Sequence, residues 1–241
     1  MPDKELSRRD LEWHPSPLTP EYRSTQLRSP THVRLHYSPT ETELTGPTFG
    51  QNQIGPLDHD LIQNYATPGA LAQGPRIIVH GRVTDEAGRP VAGKLVEIWQ
   101  ANAGGRYRHK NDSYLAPLDD NFGGCGRCLT GNDGSYRFLT IQPGPYPWPN
   151  GGNDWRPAHI HFSLFGSGFA ERLTTQMYFE GDPHIAMCPI VQAIPSEAAA
   201  QRLVATLDMA ETVPMDMRAY RFDLVLRGGA ATYFENQPEG R

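Results

Sequence analysis

Two closely spaced histidines are the first candidate metal ligands in this sequence. His159 and His161 form a His-x-His pair in a run that alternates with the apolar residues Ile160, Phe162 and Leu164. A strand sends alternate side chains to one face, so both imidazoles would point the same way while the apolar residues pack on a core. The pattern also fits a solvated strand face. If it binds a metal, it supplies half of a site.

Two tyrosines upstream could complete such a site. Tyr146 lies in a Pro-Gly-Pro-Tyr-Pro-Trp run, where the prolines hold the chain extended and prevent a helix. Tyr107 follows Gly104 and Gly105 in a loop after a predicted strand that ends near Trp99. Either tyrosine alone fits a packing role equally well. Together with two imidazoles, hard phenolate oxygens favour a ferric non-haem site over zinc, which prefers Cys, His and carboxylate ligands.

Three motifs resemble those of the intradiol ring-cleaving dioxygenases. They are the stretch from Trp99 to Tyr107, the proline-rich run that ends at Trp148, and the stretch from Trp155 to Phe162. The resemblance covers most of the chain. It implies one non-haem Fe(III) per chain, with two axial ligands (Tyr146, His159) and two equatorial ligands (Tyr107, His161).

The resemblance also implies roles for residues around the iron. Tyr146 would leave the metal when a catechol chelates it, and would accept a substrate proton. Arg156 would stabilise an anionic substrate or a carbanion-like ring, and Gln176 would be a polar residue just outside the metal ligands. Four further residues would bind the substrate. Trp99, Trp148 and Ile190 would line its pocket, and Tyr22 would contact its carboxylate.

The implied reaction is cleavage of protocatechuate by O2 to 3-carboxy-cis,cis-muconate, in the β-ketoadipate route of aromatic degradation. The implied partner is an α subunit of similar fold that lacks the iron ligands, and αβ pairs would build a larger oligomer. One alternative is a catechol or hydroxyquinol 1,2-dioxygenase, but those relatives have a helical N-terminal segment and residues 1–74 are proline-rich. The other alternative is a silent β-sandwich subunit, against which the intact Tyr/Tyr/His/His set argues.

Composition excludes several other classes. The net charge of −5 is too mild to indicate a nucleic-acid partner, and no apolar run approaches the roughly 18 residues of a membrane span. The N-terminus has no apolar segment typical of a secretory signal. Three cysteines, an odd number, argue against a disulfide scaffold and favour a cytoplasmic protein. The C-x-x-C at Cys125 and Cys128 is interpreted as a coincidence, because Cys188 alone cannot complete a zinc site.

The pattern of turns and short apolar runs predicts an all-β fold. Gly and Pro total 24 and 22 residues, which favours turns over long helices. We expect a mixed-topology β-sandwich with long loops over residues 75–241, and an extended arm for partner contacts over residues 1–74. Helices are expected only at Asp58 to Tyr65 and after Ser196. Strands are predicted at 77–84, 94–99, 135–141, 158–165, 173–179 and 220–226.

Overall fold

The computed structural model describes residues 15–32, 53–85, 87–152, 154–165 and 172–226. Three short α-helices lie in these ranges, α1 Ser24–Arg28, α2 Pro189–Gln192 and α3 Glu197–Gln201, with a 3-10 turn at Ile185–Met187. The strands in the same ranges are β1 Arg76–Thr84, β2 Leu95–Gln100, β3 Cys125–Leu129, β4 Ser135–Ile141, β5 Tyr146–Pro147, β6 Trp155–Arg156, β7 His159–Phe165, β8 Arg172–Phe179, β9 Val204–Leu207, β10 Arg218–Arg221 and β11 Leu224–Val225.

Nine of these strands form one mixed sheet that folds over the larger of two apolar clusters in the described ranges. The pairing order is β11-β1-β10-β9-β8-β7-β2-β3, and β4 pairs with β1. Strands β10 and β11 run parallel to β1, whereas β4 runs antiparallel to it. Phe162 of β7 packs against Phe138 of β4 and against Phe222, with ring centroids 6.5 and 5.2 Å apart. Strand β7 therefore faces β4 and the connection between β10 and β11 across the core, and the predicted all-β sandwich of mixed topology is confirmed.

Most predicted strands agree with the observed ones, because their alternating apolar residues fill this core. The strand predicted at 220–226 is instead two strands, β10 and β11, separated by Phe222 and Asp223. Strand β4 has the predicted bounds, and β7 begins one residue later than predicted. Strand β3 was not predicted, since its sequence Cys-Gly-Arg-Cys-Leu shows no apolar alternation. The two-residue strands β5 and β6 pair only with each other and were missed as well.

Both helix predictions need correction. Residues 58–65 form turns rather than a helix, because Asp60 makes a parallel bridge to Leu139 and its carboxylate accepts the Ile62 N–H at 3.0 Å. Ser196 does cap α3, accepting the Ala199 N–H at 3.3 Å. That helix ends at Gln201, however, and Val204 begins strand β9 beside β8. Tertiary pairing overrides the helical spacing of the apolar residues there.

The described part of the N-terminal arm is compact and lies against the sandwich. Its helix α1 buries Thr25, whereas Leu27 is 93% exposed. Two large apolar residues of the arm, Trp13 and Phe49, lie outside the described residues. In the described ranges, no helix is long and apolar enough to cross a membrane.

Candidate metal centre

Strand β7 brings His159 and His161 to one face, as the His-x-His spacing predicts. In the register of the sheet, His161 lies opposite Trp99 of β2 and Gln176 of β8. The Trp99 and His161 rings stack with centroids 4.7 Å apart and an interplanar angle of 2°. This cross-strand stack fixes the plane of the His161 imidazole. Trp99 thus lies beside the candidate ligands, where the sequence predicted a pocket wall.

The two tyrosines meet because their loops pack backbone against backbone. Gly105, at φ +82°, and Gly144 lie where a Cβ would overlap the carbonyl oxygens of Pro145 and Ala103 respectively. The Asn102 carbonyl accepts the N–H groups of both glycines, at 2.9 and 3.0 Å. Only glycine permits this approach, so the glycines that precede the tyrosines in each motif set the distance between them.

The four side chains converge on one point. His159 Nε2 lies 3.3 Å from the Tyr146 hydroxyl and 3.5 Å from the Tyr107 hydroxyl. The Tyr107 and Tyr146 ring centroids are 5.5 Å apart, and those of His159 and His161 are 4.8 Å apart. Residues from a strand, a glycine loop and a proline-rich ribbon therefore share one small volume, although they span 55 positions of the chain.

Two loop residues that the sequence analysis did not single out hold Tyr107 in place. The Asp112 carboxylate accepts the backbone N–H of Tyr107 at 2.8 Å and that of Tyr114 at 2.8 Å. The Asn102 side chain accepts the N–H groups of Gly104 and Arg106, at 3.0 and 2.9 Å. Asn and Asp side chains commonly organise loops in this way. The sequence could have identified both residues by their positions just before and just after a glycine-rich loop.

Burial keeps both imidazoles neutral. Burial, reinforced by the charge of Arg156, lowers the pKa of His159 well below its ordinary value and lowers the pKa of His161 to about 3. A neutral imidazole has a free lone pair, which is the form that binds a metal. The His159 Nδ1 faces the Pro157 carbonyl oxygen at 2.7 Å. Since Nδ1 must carry the proton there, the lone pair of His159 is on Nε2, facing the phenols.

Burial shifts the pKa values of the two phenols upward, opposite to its effect on the histidines. Burial raises the pKa of Tyr107 well above its ordinary value, and the nearby Tyr146 phenol raises it further. Burial also raises the pKa of Tyr146, while the Arg156 guanidinium opposes that effect. Neither tyrosine would ionise at neutral pH without a cation beside it. A bound metal ion would supply the positive charge that stabilises two phenolates.

Arg156 lies buried next to the four residues. Strands β5 and β6 place it opposite Tyr146. Its guanidinium donates hydrogen bonds to the Gln176 side-chain oxygen and, at 3.4 Å, to the Tyr178 hydroxyl. Tyr178 also donates to the same Gln176 oxygen at 3.1 Å. Arg156, Gln176 and Tyr178 therefore form one hydrogen-bonded network, and Tyr178 is a member that the sequence analysis missed.

The other three predicted substrate residues surround this network. Trp148 lies 5.4 Å beneath the Arg156 guanidinium, measured to its ring centroid, and 5.5 Å from the Tyr22 ring. Ile190 is buried in α2, two residues after Cys188, and the Cys188 thiol is close enough to affect the pKa of Tyr146. The structure thus places Tyr22 and Trp148 in contact, and Ile190 near the same side of the site.

The cysteines do not form a second candidate metal site. Cys125 and Cys128 lie three positions apart on β3, so their side chains leave opposite faces of the strand. Burial raises the pKa of Cys128 to about 12, and all three cysteines are free. In the described part of the chain, no three His, Cys, Asp or Glu side chains group as metal ligands. The Tyr/Tyr/His/His cluster differs from such groups because half of its donors are phenols.

Comparison with known families identifies the class of protein. A family described as dioxygenase matches residues 44–228, and one described as the N-terminal part of the protocatechuate 3,4-dioxygenase β subunit matches residues 7–32. The chain belongs to the intradiol dioxygenases. It is therefore an enzyme of a class of non-haem iron oxidoreductases.

Individual relatives agree with this family. The protocatechuate 3,4-dioxygenase β chain of Burkholderia cepacia is 51% identical over 95% of this chain and 97% of its own length. The α chain of the Pseudomonas putida enzyme is 31% identical over 73% of this chain and 83% of its own length. A solved structure of catechol 1,2-dioxygenase from Acinetobacter sp. ADP1, inhibited by bound mercury, aligns with a TM-score of 0.53 and 26% identity. That alignment covers 75% of this chain and 61% of the other.

The residues present fit the non-haem iron that an intradiol dioxygenase implies. His159 Nε2 faces both phenol oxygens, and the buried His161 Nδ1 has no hydrogen-bond partner in the described structure. Two neutral imidazoles and two phenols give two nitrogen donors and, once ionised, two hard anionic oxygens. Such a set would neutralise much of the charge of a ferric ion and suits it better than a softer metal.

Proposed function

We propose that this chain is the iron-bearing β chain of a protocatechuate 3,4-dioxygenase. It would cleave protocatechuate with O2 to 3-carboxy-cis,cis-muconate. The observation that carries the proposal is the 51% identity to a protocatechuate 3,4-dioxygenase β chain over nearly the full length of both proteins. Catechol 1,2-dioxygenase is the weaker alternative, because this chain spans only 61% of the solved structure of that enzyme.

The proposed metal is one Fe(III) per chain, held by the two phenols and two imidazoles. Support comes from the convergence of Tyr107, Tyr146 and His159 within hydrogen-bond distance, and from the neutral state of both histidines. When bound, the iron would supply a Lewis acid to which both catechol oxygens could coordinate, which would make the ring reactive towards O2. The protein's own residues would supply orientation, proton transfer and charge.

Tyr146 is the proposed proton acceptor. Its hydroxyl lies at the edge of the cluster on a short ribbon, and Arg156 opposite it favours the ionised form. As a phenolate, its Oη would take a proton from a catechol hydroxyl as the substrate binds. The proton-bearing phenol would then remain near the Arg156 guanidinium, which would stabilise the negative charge of the substrate.

The walls of the proposed substrate pocket are aromatic and polar. Trp99 stacks on His161, and Trp148 lies between Tyr22 and Arg156. These flat rings would hold a flat substrate ring and exclude water from the metal. We assign Gln176 to the orientation of Arg156, Tyr22 to the substrate carboxylate, and Ile190 to the wall near Tyr146.

The proposed assembly includes an α subunit of similar fold, since an α chain is itself among the relatives. Residues 1–74 would act as an arm for partner contacts, and residues 75–241 as the catalytic sandwich. Leu27 of the arm and Leu115 of the loop after Tyr107 are 93% and 91% exposed. A partner subunit that covered these side chains would remove their apolar surface from water. Three free cysteines suit a reducing compartment, so we infer a cytoplasmic location.

The visible absorption spectrum tests this function. We expect the purified protein to show a charge-transfer band from tyrosinate to iron, and the band to shift when protocatechuate is added without O2. Admission of O2 should then restore the original band as product forms. A colourless protein that contains stoichiometric iron would refute the phenolate ligands. A coloured protein that ignores protocatechuate but responds to catechol would favour the alternative.

A further inference from the structure

One buried amide fastens the N-terminal arm to the loop that follows Tyr146. Asn150 is only 3% exposed. Its Oδ1 accepts the Arg23 N–H at 2.9 Å, and its Nδ2 donates to the Glu21 carbonyl at 2.8 Å and to Asp154 Oδ2 at 2.8 Å. Both donors and the acceptor of this side chain are therefore used, and two of the three bonds reach across more than a hundred residues to the arm.

The segment that Asn150 holds, residues 16–29, is braced internally by two hydroxyl groups. The Thr25 hydroxyl is buried, accepts the Thr19 N–H at 3.0 Å and lies 2.7 Å from the carbonyls of Thr19 and Tyr22. Ser29 donates its hydroxyl proton to the Pro17 carbonyl at 2.6 Å. Because the segment is closed on itself, its attachment at residues 21 and 23 fixes the position of the whole unit.

This attachment places Tyr22 in a column of rings and guanidinium groups that leads to the metal centre. The Arg28 guanidinium lies 4.7 Å from the Tyr22 ring centroid, and the Tyr22 ring meets the Trp148 ring edge-on at 5.5 Å. The other neighbour of Trp148 is Arg156, whose guanidinium lies 5.4 Å from its ring. Each contact of this kind depends on ring placement, so loss of the arm would disturb the column from its outer end.

We propose that Asn150 is a positioning residue that holds residues 16–29 as the outer wall of the metal centre. In this position the arm contributes a phenol hydroxyl from Tyr22 and a positive charge from Arg28 beside the substrate pocket. Both groups suit the carboxylate of an acid-bearing catechol and would give nothing to catechol itself. This inference rests on the proposed function for the identity of the substrate, but the attachment of the arm does not depend on it.

Asn150→Ala in the complete enzyme, with its α partner, tests the proposal in two ways. Anaerobic spectral titration should show protocatechuate binding weakened about tenfold, the order expected when a buried hydrogen-bonded group is lost. Catechol binding should change less than about twofold. Trypsin should cut after Arg23 and Arg28 at least about tenfold faster, because the arm then opens more often.

Asn64→Ala is the matched control, since Asn64 is a half-buried asparagine outside the arm that donates to the Cys125 carbonyl. It should leave both trypsin cleavage and the protocatechuate-to-catechol ratio unchanged. If Asn150→Ala fails to fold, Asn150→Asp keeps the size and the acceptor but loses both donors, and should show the same two effects.

Two results would overturn the proposal. An unchanged trypsin rate in Asn150→Ala would show that the amide does not hold the arm. Faster cleavage with an unchanged protocatechuate-to-catechol ratio would show that the arm is held but is no wall of the site. A wild-type enzyme that binds no protocatechuate would instead refute the proposed function, while the trypsin rates would still decide the role of Asn150.

Discussion

At the scale of the residue, the site combines two kinds of metal donor. The histidine nitrogens are neutral, whereas the tyrosine phenols ionise only beside a cation. Burial produces both states, because it disfavours the imidazolium and the phenolate alike. Only a positive charge placed among the four groups would reverse the effect on the tyrosines without charging the histidines. The buried site therefore disfavours the charged forms of its own side chains, but it favours a metal ion, whose positive charge the two phenolates would balance.

Removal of a single donor should abolish activity. Tyr107→Phe and His161→Ala should each lower kcat/KM for protocatechuate more than about a hundredfold, since loss of groups that merely support a ligand already costs up to about that much. Iron content by mass spectrometry and O2 uptake measure the effect. Tyr65→Phe, which removes the same hydroxyl from a half-exposed ring, is the control. Normal turnover in either variant would remove that residue from the proposed ligands.

The buried histidines also predict how the iron-free protein responds to acid. Their pKa values are lowered in the folded state, so only the unfolded chain takes up protons as the pH falls below about 6.5. The free energy of unfolding should therefore decrease from about pH 6.5 downward, with His161 contributing until its folded pKa of about 3. Urea unfolding at several pH values should show a shallower slope for His161→Gln. An equal slope would indicate that His161 is solvated.

At the scale of the element, two glycines determine the position of the tyrosines, because they let the two tyrosine-bearing loops pack backbone against backbone. The Asn102 carbonyl binds the backbone of both loops, and neither Gly105 nor Gly144 has room for a side chain. The ligand strand β7 is held differently, by pairing with β2 and β8 along its length. A rigid sheet thus supplies the histidines, while closely packed loops supply the tyrosines.

Gly105→Ala should show the energetic importance of this loop contact. It should destabilise the protein by about 3 kcal/mol or more, from the positive φ and from overlap with the Pro145 carbonyl. Gly88→Ala is the matched control, because Gly88 has a φ of +75° and open space around it, so that only the cost of about 1 kcal/mol for backbone strain applies. Urea unfolding measures both. Equal losses would contradict the close packing of the two loops.

At the scale of the whole molecule, two exposed leucines lie in segments that also build the site. Leu27 projects from α1, and Leu115 from the loop after Tyr107, both almost fully exposed. Exposed leucines in segments that also build the site fit the proposed α partner. The contacts with the α partner and the proposed active site would then share the same two segments, α1 and the loop after Tyr107.

Coexpression with an α chain should therefore give a stable complex. We expect the two chains to coelute in size-exclusion chromatography, and Leu27→Asp to weaken their association at least about tenfold by burying an unpaired charge. Ala87→Asp, in the exposed β1–β2 turn, adds the same charge elsewhere and should have no effect. Unchanged coelution of Leu27→Asp would place the partner surface away from α1.

Much of the fold could be predicted because its signals are local. The apolar alternation of 135–141 and 158–165 fixes which side chains face the core, so β4 and β7 agreed with prediction to within a residue. Strands β3 and β9 were missed because their pairing partners, rather than their own sequences, make them strands. The turns at 58–65 were mistaken for a helix, since the bridge from Asp60 to Leu139 cannot be read from either segment.

By itself, the sequence determined the chemistry available to this protein, because residue types and short spacings are properties of neighbouring positions. His-x-His on a strand, a tyrosine among prolines and a tyrosine after two glycines could all be found without a fold. The folded chain was needed to show that these segments meet, that burial makes the imidazoles neutral, and that Asn102 and Tyr178 contact the residues around them. Those relations join residues far apart in the chain, and they exist only after the sheet has closed on its core.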